Sequence, residues 1–521
     1  MSCNTTLSAL CTTAYLAPLF AGFTALEAVV YHEANLTATL IINEFWLPDP
    51  ADYKHRVLVT GGGGWSNSGV SSMGGGLSYG AVSVYTDGGF GGPTSALNSD
   101  ILQAGGNGTI AWSALESYAF LANHEMVVNA RQLASAFYNA TTDPTDPDRI
   151  KTYYFGCSEG GREGLKAIQT YPTDYDGVIA AAPGIYLPLT QPIQNFAAWT
   201  MAQMQHIIDP CAFVAIQKDI IAACDAADGL QDGVVSRPDL CTYNISNSVG
   251  TVWSNCTQGG PGAPTSGTVS EADARLVTTL YKGPLLANGE RTWFAYNLGI
   301  DWTGNGGTVW NNATQSFDLG AFSYFKDVYQ MFWAQNTATP VINFTEVSTD
   351  LVYHNISSLF RLIGSWTTTA WTDLSPFQAA GGKVITWHGT QDQLLPTMMS
   401  ASYYEDVRRH MFGSNSSYSQ IQDFYRYFQV PGADHCSINP AEPHGPFPQN
   451  AIAQLIDWVE RGVAPDTLNG TTQSGSSTQD TICMWPSAPV WDASGSFRCE
   501  FPANFAQAYI QKPNAWKIGI F

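Results

Sequence analysis

The stretch from Lys151 to Ala182 constrains the fold more tightly than any other part of the chain. Lys151 to Phe155 is a short run of Thr and aromatic residues that reads as a strand. Cys157 to Gly161 reads as a turn, Arg162 to Thr170 as a helix, and Asp176 to Ala182 as the next strand. Strands that alternate with helices predict a mostly parallel sheet covered on both faces. The rhythm recurs on either side. Arg56 to Val59 is β-rich and runs into Thr60-Gly61-Gly62-Gly63-Gly64, and Ala81 to Tyr85 runs into Thr86-Asp87-Gly88-Gly89. Ala119 to Tyr138 is helical in pattern and free of Pro and Gly. Further on, Lys383 to Trp387 and Tyr425 to Val430 read as strands, and Met398 to Met411 and Ala451 to Arg461 as helices.

After Pro183 the rhythm breaks. Residues from about 190 to 375 carry four cysteines, many tryptophans, loops rich in Gly, Asn and Thr, and an aromatic stretch from Phe317 to Trp333. The expected organisation is one α/β domain, residues 1–189 and 376–521, interrupted by a lid of residues 190–375.

Gly156-Cys157-Ser158-Glu159-Gly160 fits the G-x-S-x-G pattern between a strand and a helix. The chemistry needs small flanking residues, because the serine sits on a sharp, strained turn at the end of a strand. An α/β-hydrolase orders its triad Ser, then Asp or Glu, then His. Downstream of Val384 to Trp387 comes His388-Gly389-Thr390-Gln391-Asp392, and Asp392 stands where the orienting carboxylate belongs. A lone Asp there can equally cap an Asx-turn. Of the later histidines, His410 follows two arginines on a predicted helix and His444 lies in a Pro-rich loop.

His435 is singled out by its neighbour: Cys436 follows it as Cys157 precedes Ser158. A disulfide between the two cysteines sets their Cα atoms about 4.4–6.8 Å apart. One residue of about 3.8 Å at each end keeps Ser158 and His435 within roughly 14 Å, close enough for their side chains to share a proton. The expected roles are Ser158 as nucleophile, His435 as base and Asp392 as the group that orients it. The oxyanion needs backbone donors: the amide of Glu159, and one from the Gly61 to Gly64 loop, with Gly62 and Gly63 the candidates.

These residues resemble the tannase and feruloyl esterase family of fungal and bacterial esterases. The resemblance rests on GCSEGGREGL (Gly156 to Leu165), YPTDYDGVIAAAPG (Tyr171 to Gly184), the His124 to Met126 helix start, the Asp392 loop and the His435-Cys436 pair. It covers nearly the whole chain and implies an α/β-hydrolase fold with a large inserted lid and carboxylic ester hydrolysis. The paired cysteines beside nucleophile and base are a family hallmark, mapping onto Cys157 and Cys436. Pro431-Gly432-Ala433-Asp434 departs from the all-small approach to the histidine that is commoner in the family.

The run Cys224-Asp225-Ala226-Ala227-Asp228-Gly229-Leu230-Gln231-Asp232-Gly233-Val234 gathers three carboxylates among glycines. Hard cations take six to eight oxygens, and glycines let a chain wrap around one. The spacing is not that of an EF-hand, and an acidic surface turn would read the same way. The resemblance implies a structural calcium here, held by Asp225, Asp228 and Asp232 through side chains and by Leu230 and Val234 through carbonyls. A Cys224–Cys241 bridge would clamp that loop. Proximity suggests Cys211–Cys256, Cys483–Cys499 and Cys3–Cys11 for the rest.

Composition bounds the partners. With 22 Lys and Arg against 43 Asp and Glu, a net charge of −21 leaves no basic patch for nucleic acid. No run approaches the roughly 18 apolar residues of a membrane span. Ten cysteines and eleven N-x-S/T sequons fit an oxidising, secretory route, with Met1 read as replacing a removed signal segment. The expected substrate is a hydroxycinnamoyl (feruloyl) ester of plant cell-wall polysaccharide or a small aromatic ester. A galloyl ester is the near alternative, and a lipase-like esterase or a non-catalytic binding module on the same fold are rivals. Phe317, Phe322, Tyr324, Phe325, Tyr329, Phe332 and Trp333 of the lid can stack on a phenolic ring, although aromatics so spaced are more often core.

Overall fold

The structure is a computed structural model that describes residues 23–26, 29–33, 40–89, 111–320, 344–472, 480–502, 509–510 and 513. Nine strands form one sheet: β1 (Phe23–Leu26), β2 (Val29–Glu33), β3 (Leu40–Trp46), β4 (Arg56–Thr60), β5 (Ala81–Thr86), β6 (Lys151–Cys157), β7 (Gly177–Ala181), β8 (Lys383–Gly389) and β9 (Tyr425–Val430). Their spatial order is β1-β2-β3-β5-β4-β6-β7-β8-β9. The six strands from β5 to β9 in that order run parallel. β1 to β3 join antiparallel at the β5 edge. Sequence periodicity alone had not revealed these three.

The parallel strands are apolar on both faces, as strands covered by helices must be. Alternate residues enter opposite cores. Val57, Val59, Tyr154, Val178 and Ala180 pack with Met126, Val127 and Ala130 of helix α1 (Ala122–Tyr138). Leu58, Tyr153, Ile179, Ala181 and Trp387 pack on the other face with Leu455, Ile456 and Trp458 of the helix Ala451–Arg461. Helix α2 (Glu159–Thr170) crosses from β6 to β7.

Between β7 and β8 the chain leaves the sheet through α3 (Leu187–Ile193), α4 (Phe196–Met204), α5 (Pro210–Cys224), α6 (Glu271–Lys282) and α7 (Thr349–Thr367). α5 begins where Asp209 caps the Cys211 amide and Pro210 fills the first turn, and α6 begins with a Ser270/Asp273 capping box. Trp199, Ile216 and Trp293 of this insertion belong to the same buried cluster as Val57, Val178 and Val384. The chain returns through β8, α8 (Thr397–Phe412), β9 and α9 (Ala451–Arg461). Among the described residues no helix is long and apolar enough to cross a membrane.

Candidate active site

β6 extends to Cys157 and α2 starts at Glu159, so the expected five-residue turn narrows to Ser158 alone. Its φ of 65° and ψ of −117° lie where a side chain is rarely tolerated. Close packing explains the small neighbours. A Cβ on Gly156 would sit 2.5 Å from the Gly160 backbone, and one on Gly161 would sit 2.2 Å from Ala181 O. Ser158 N donates to Ala181 O at 3.0 Å, and Ser158 O accepts from Arg162 N and Gly184 N. The backbone is thus pinned on both sides.

Asp392 follows β8 and is itself buried. Its Oδ1 accepts from the amides of Leu394 and Leu395 at 2.9 and 2.7 Å, and its Oδ2 faces His435 Nδ1 at 2.7 Å. A second histidine, His388, places Nε2 3.0 Å from the same Oδ2 and 2.9 Å from Leu395 O. Both partners of that nitrogen accept, so it carries the proton. His388 Nδ1 then takes the Ser400 hydroxyl at 2.8 Å. Burial alone would push the Asp392 carboxyl up, but His435 and His388 outweigh it and hold it well below the usual carboxylate range. Nothing in the sequence marked His388 beyond its place four residues before Asp392.

Cys157 and Cys436 are bonded, with Cα atoms 6.0 Å apart. Ser158 and His435 line one cavity of about 870 Å³ together with Glu159, Gly61 to Gly64 and the disulfide. His410 and His444 are not in its lining. Cys211–Cys256, Cys224–Cys241 and Cys483–Cys499 also form, while Cys3 and Cys11 lie outside the described residues. Phe317 meets Trp310 edge-on at 5.0 Å and does not line the cavity; Phe322, Tyr324, Phe325, Tyr329, Phe332 and Trp333 lie outside the described residues.

The glycine loop corrects one expectation. Gly62 N donates to Glu163 Oε2 at 3.1 Å, so a buried carboxyl takes the amide expected to meet an oxyanion. Gly61 N is committed to Phe155 O at 3.0 Å. Gly63 and Gly64 both line the cavity, and Gly63 pairs with Ser66 across an isolated antiparallel bridge, its carbonyl accepting from Ser66 N at 3.1 Å. The Glu159 amide opens α2, where a helix has no internal acceptor for its N–H. The Glu159 side chain turns inward onto Arg162 Nε at 2.6 Å.

In the acidic loop, Asp225 Oδ1 accepts from Asp232 N, Gly233 N and Val234 N at 3.0, 3.0 and 3.3 Å. Asp228 Oδ1 accepts from Leu230 N, while its Oδ2 is buried without a hydrogen-bond partner. Among the described residues the acidic side chains do not converge as a group of three able to hold an ion by themselves. The orphaned oxygen fits a cation, and a cage there needs backbone carbonyls as well as carboxylates.

The family model for tannase and feruloyl esterase matches residues 27–505. A tannase from Aspergillus oryzae is 31% identical over 514 residues, covering 92% of this chain and 86% of its own. A probable feruloyl esterase B-1 from Aspergillus oryzae is 31% identical over 480 residues, covering 88% and 80%. The solved tannin acyl hydrolase from Aspergillus niger superposes with a TM-score of 0.87 at 33% identity, over 95% of this chain and 89% of that one. Feruloyl esterase B from Aspergillus oryzae gives 0.70 at 25% identity, over 91% and 90%. The α/β-hydrolase architecture and these matches agree: the chain belongs to the tannase and feruloyl esterase family and is a carboxylic ester hydrolase.

Proposed function

We propose that Ser158, His435 and Asp392 form the catalytic triad of an esterase for aromatic acids, with galloyl esters the preferred class. The observation that carries this reading is the Asp392–His435 bond of 2.7 Å on a loop tethered by disulfide to the serine turn. His435 Nδ1–H donates to Asp392, which leaves Nε2 with its lone pair. Ser158 Oγ attacks the ester carbonyl as Nε2 takes its proton. The proton passes to the departing alcohol, and water repeats the sequence on the acyl-enzyme. The amide of Glu159 and one from Gly63 or Gly64 hold the oxyanion.

Two observations favour a galloyl ring. Ser66, Ser68, Ser71 and Ser72 give the cavity wall hydroxyl groups that suit several phenolic OH groups, while Leu187, Leu395 and Phe447 supply apolar contact. The likeness to the tannin acyl hydrolase is also greater, 33% against 25% identity and 0.87 against 0.70 in TM-score. Hydroxycinnamoyl esters are the second reading, supported by the feruloyl esterase relative at 31% identity. Residues 190–375 act as the lid, and Thr190 and Gln194 bring it to the cavity. Secretion fits four disulfides and the exposed sequon asparagines 139, 244, 255, 312, 415 and 469.

The test is kcat/KM on methyl gallate, methyl ferulate and a p-nitrophenyl alkanoate, with labelling by a serine-directed phosphonate. Best turnover of methyl gallate is expected, with label on Ser158. Best turnover of the alkanoate would overturn the aromatic reading, and an unlabelled Ser158 would overturn the triad.

A further inference from the structure

Glu163 lies one turn of α2 beyond the nucleophile, 1% exposed, with no place in the triad. Its surroundings are unusual. Oε2 meets Gly62 N at 3.1 Å and the Tyr154 hydroxyl at 2.8 Å, and Oε1 meets Asn67 Nδ2. The same Tyr154 hydroxyl lies 2.7 Å from Gly160 O, a carbonyl that can only accept. Tyr154 has one proton, and two oxygens are within reach of it. If that proton goes to Gly160 O, the contact with Oε2 is a hydrogen bond only when Glu163 is a carboxylic acid that donates to the tyrosine oxygen. The acid oxygen can still accept from Gly62 N–H. Both the Tyr154 hydroxyl and the Glu163 carboxyl then have an acceptor for their proton.

The same peptide is held from its other end, because Gly160 N donates to Gly62 O at 2.9 Å. Gly62 is therefore clamped at its N–H by Glu163 and at its C=O by Gly160 to the nucleophile helix. The peptide that joins Gly62 to Gly63 is planar and trans, so fixing the Gly62 carbonyl also fixes the direction of the Gly63 N–H. Gly61, Gly62 and Gly160 leave no room for a side chain. A Cβ on Gly61 would fall 2.7 Å from Glu163 Oε2, and one on Gly160 would fall 2.8 Å from Gly62 O.

We propose that Glu163, as a neutral carboxylic acid, is the positioning residue that sets the glycine loop of the oxyanion hole against the nucleophile turn. This rests on the triad reading above and deepens it. Glu163 touches no reacting atom and acts through the loop. Its electrostatic setting agrees: burial raises its affinity for a proton, the Glu159 charge adds to that, and Arg162 opposes both. The other ionisable groups facing it are Tyr154, Tyr118 and Tyr175, themselves raised by burial and so uncharged. Loss of the proton at high pH would cost the Tyr154 bond and would place a second negative charge beside the oxyanion loop, next to Glu159.

The experiment compares wild type, Glu163→Ala and Glu163→Gln, each normalised to sites titrated by a serine-directed phosphonate, with kcat and KM for methyl gallate from pH 5 to 10. Gln can present its carbonyl oxygen to Gly62 N–H without ever ionising. Glu163→Ala is expected to lose about 100-fold in kcat per titrated site, the order found when an oxyanion donor is removed, with KM within about threefold. Glu163→Gln is expected to recover to within about tenfold of wild type and to lack the fall in kcat that wild type shows at alkaline pH. Wild-type kcat per site in Glu163→Ala would overturn the proposal, and so would an unchanged alkaline fall in Glu163→Gln. Should Glu163→Ala not fold, the pH profile of the Gln variant decides alone. Failure of the triad reading looks different: wild type itself would go unlabelled at Ser158.

Discussion

Replacing Cys157 and Cys436 together by alanine tests whether the disulfide supports the fold, the catalytic geometry, or both. The bridge closes 279 residues of sequence. In the chain-entropy description such a loop restrains the unfolded state by about 5.6 kcal/mol at 25 °C. The nested Cys211–Cys256 bridge already shortens the path by 45 residues, which trims the figure only to about 5.5 kcal/mol. Native bridges deliver about 2–5 kcal/mol in practice, and that is the expected loss in urea denaturation. The catalytic effect is separate. Without the bridge, His435 keeps its bond to Asp392 and its amide bond to Gln393 Oε1 at 3.1 Å, so the ring stays in its loop. Among the described residues no other covalent or hydrogen bond then ties that loop to the Ser158 turn, and a shift of about 1 Å costs on the order of 100-fold in rate. The assay is kcat at a temperature where circular dichroism shows the variant folded, normalised to phosphonate-titrated sites. A variant that loses stability but keeps kcat within about threefold would refute the positional role. A variant that keeps its denaturation midpoint would refute the stability estimate.

Asp392→Asn should lower kcat by about 10⁴-fold, because the amide favours the wrong imidazole tautomer. The Asp392 carboxyl is held below its ordinary value in the fold, so its stabilisation is complete above the unfolded value of about 3.9 and disappears as pH falls through the lower folded value. Acid titration followed by fluorescence should therefore show the stability gap between wild type and this variant closing only below about pH 4. Asp434 works the other way. Burial, with Asp301 and Asp392 nearby, pushes its carboxyl up to about 8. The unfolded chain gives up that proton first, so wild type loses stability relative to Asp434→Asn as pH rises from about 4 to 8, by at most about 1.4 kcal/mol per pH unit. A flat difference in urea midpoints across that range would contradict the assignment. If the Asp225 to Val234 loop holds calcium, a chelator should lower Tm, and elemental analysis should find the ion in wild type but not in Asp228→Ala. At a calcium level 100 times its Kd the ion is worth about 2.7 kcal/mol, and an unchanged Tm in chelator would exclude the site.

The parallel strands were legible in sequence because both of their faces are buried, which leaves continuous apolar runs such as Gly177–Ala181. The serine turn was legible because its glycines are forced by contacts that a Cβ would violate. The antiparallel strands at the β5 edge were not, since their pairing is set by register across the sheet. The glycine loop shows where local reading ends. Gly62 and Gly63 are identical residues side by side, and a carboxyl 101 positions away in the chain takes the amide of the first. His388 was hidden for a related reason: its partnership with Asp392 exists only because the loop after β8 folds back on that strand.

The insertion between β7 and β8 has a consequence for biosynthesis. Ala181 ends β7 and Lys383 begins β8, so about 200 residues must be translated before the central sheet can continue. At ribosomal speeds of about 5–20 residues per second that is roughly 10–40 s during which the apolar edge of β7 waits for its neighbour. On the proposed triad, Ser158 belongs to the early half of the chain and His435 to the late half. Newly made protein therefore stays inert until its last third has arrived, and the nascent chain is most vulnerable to aggregation during that interval.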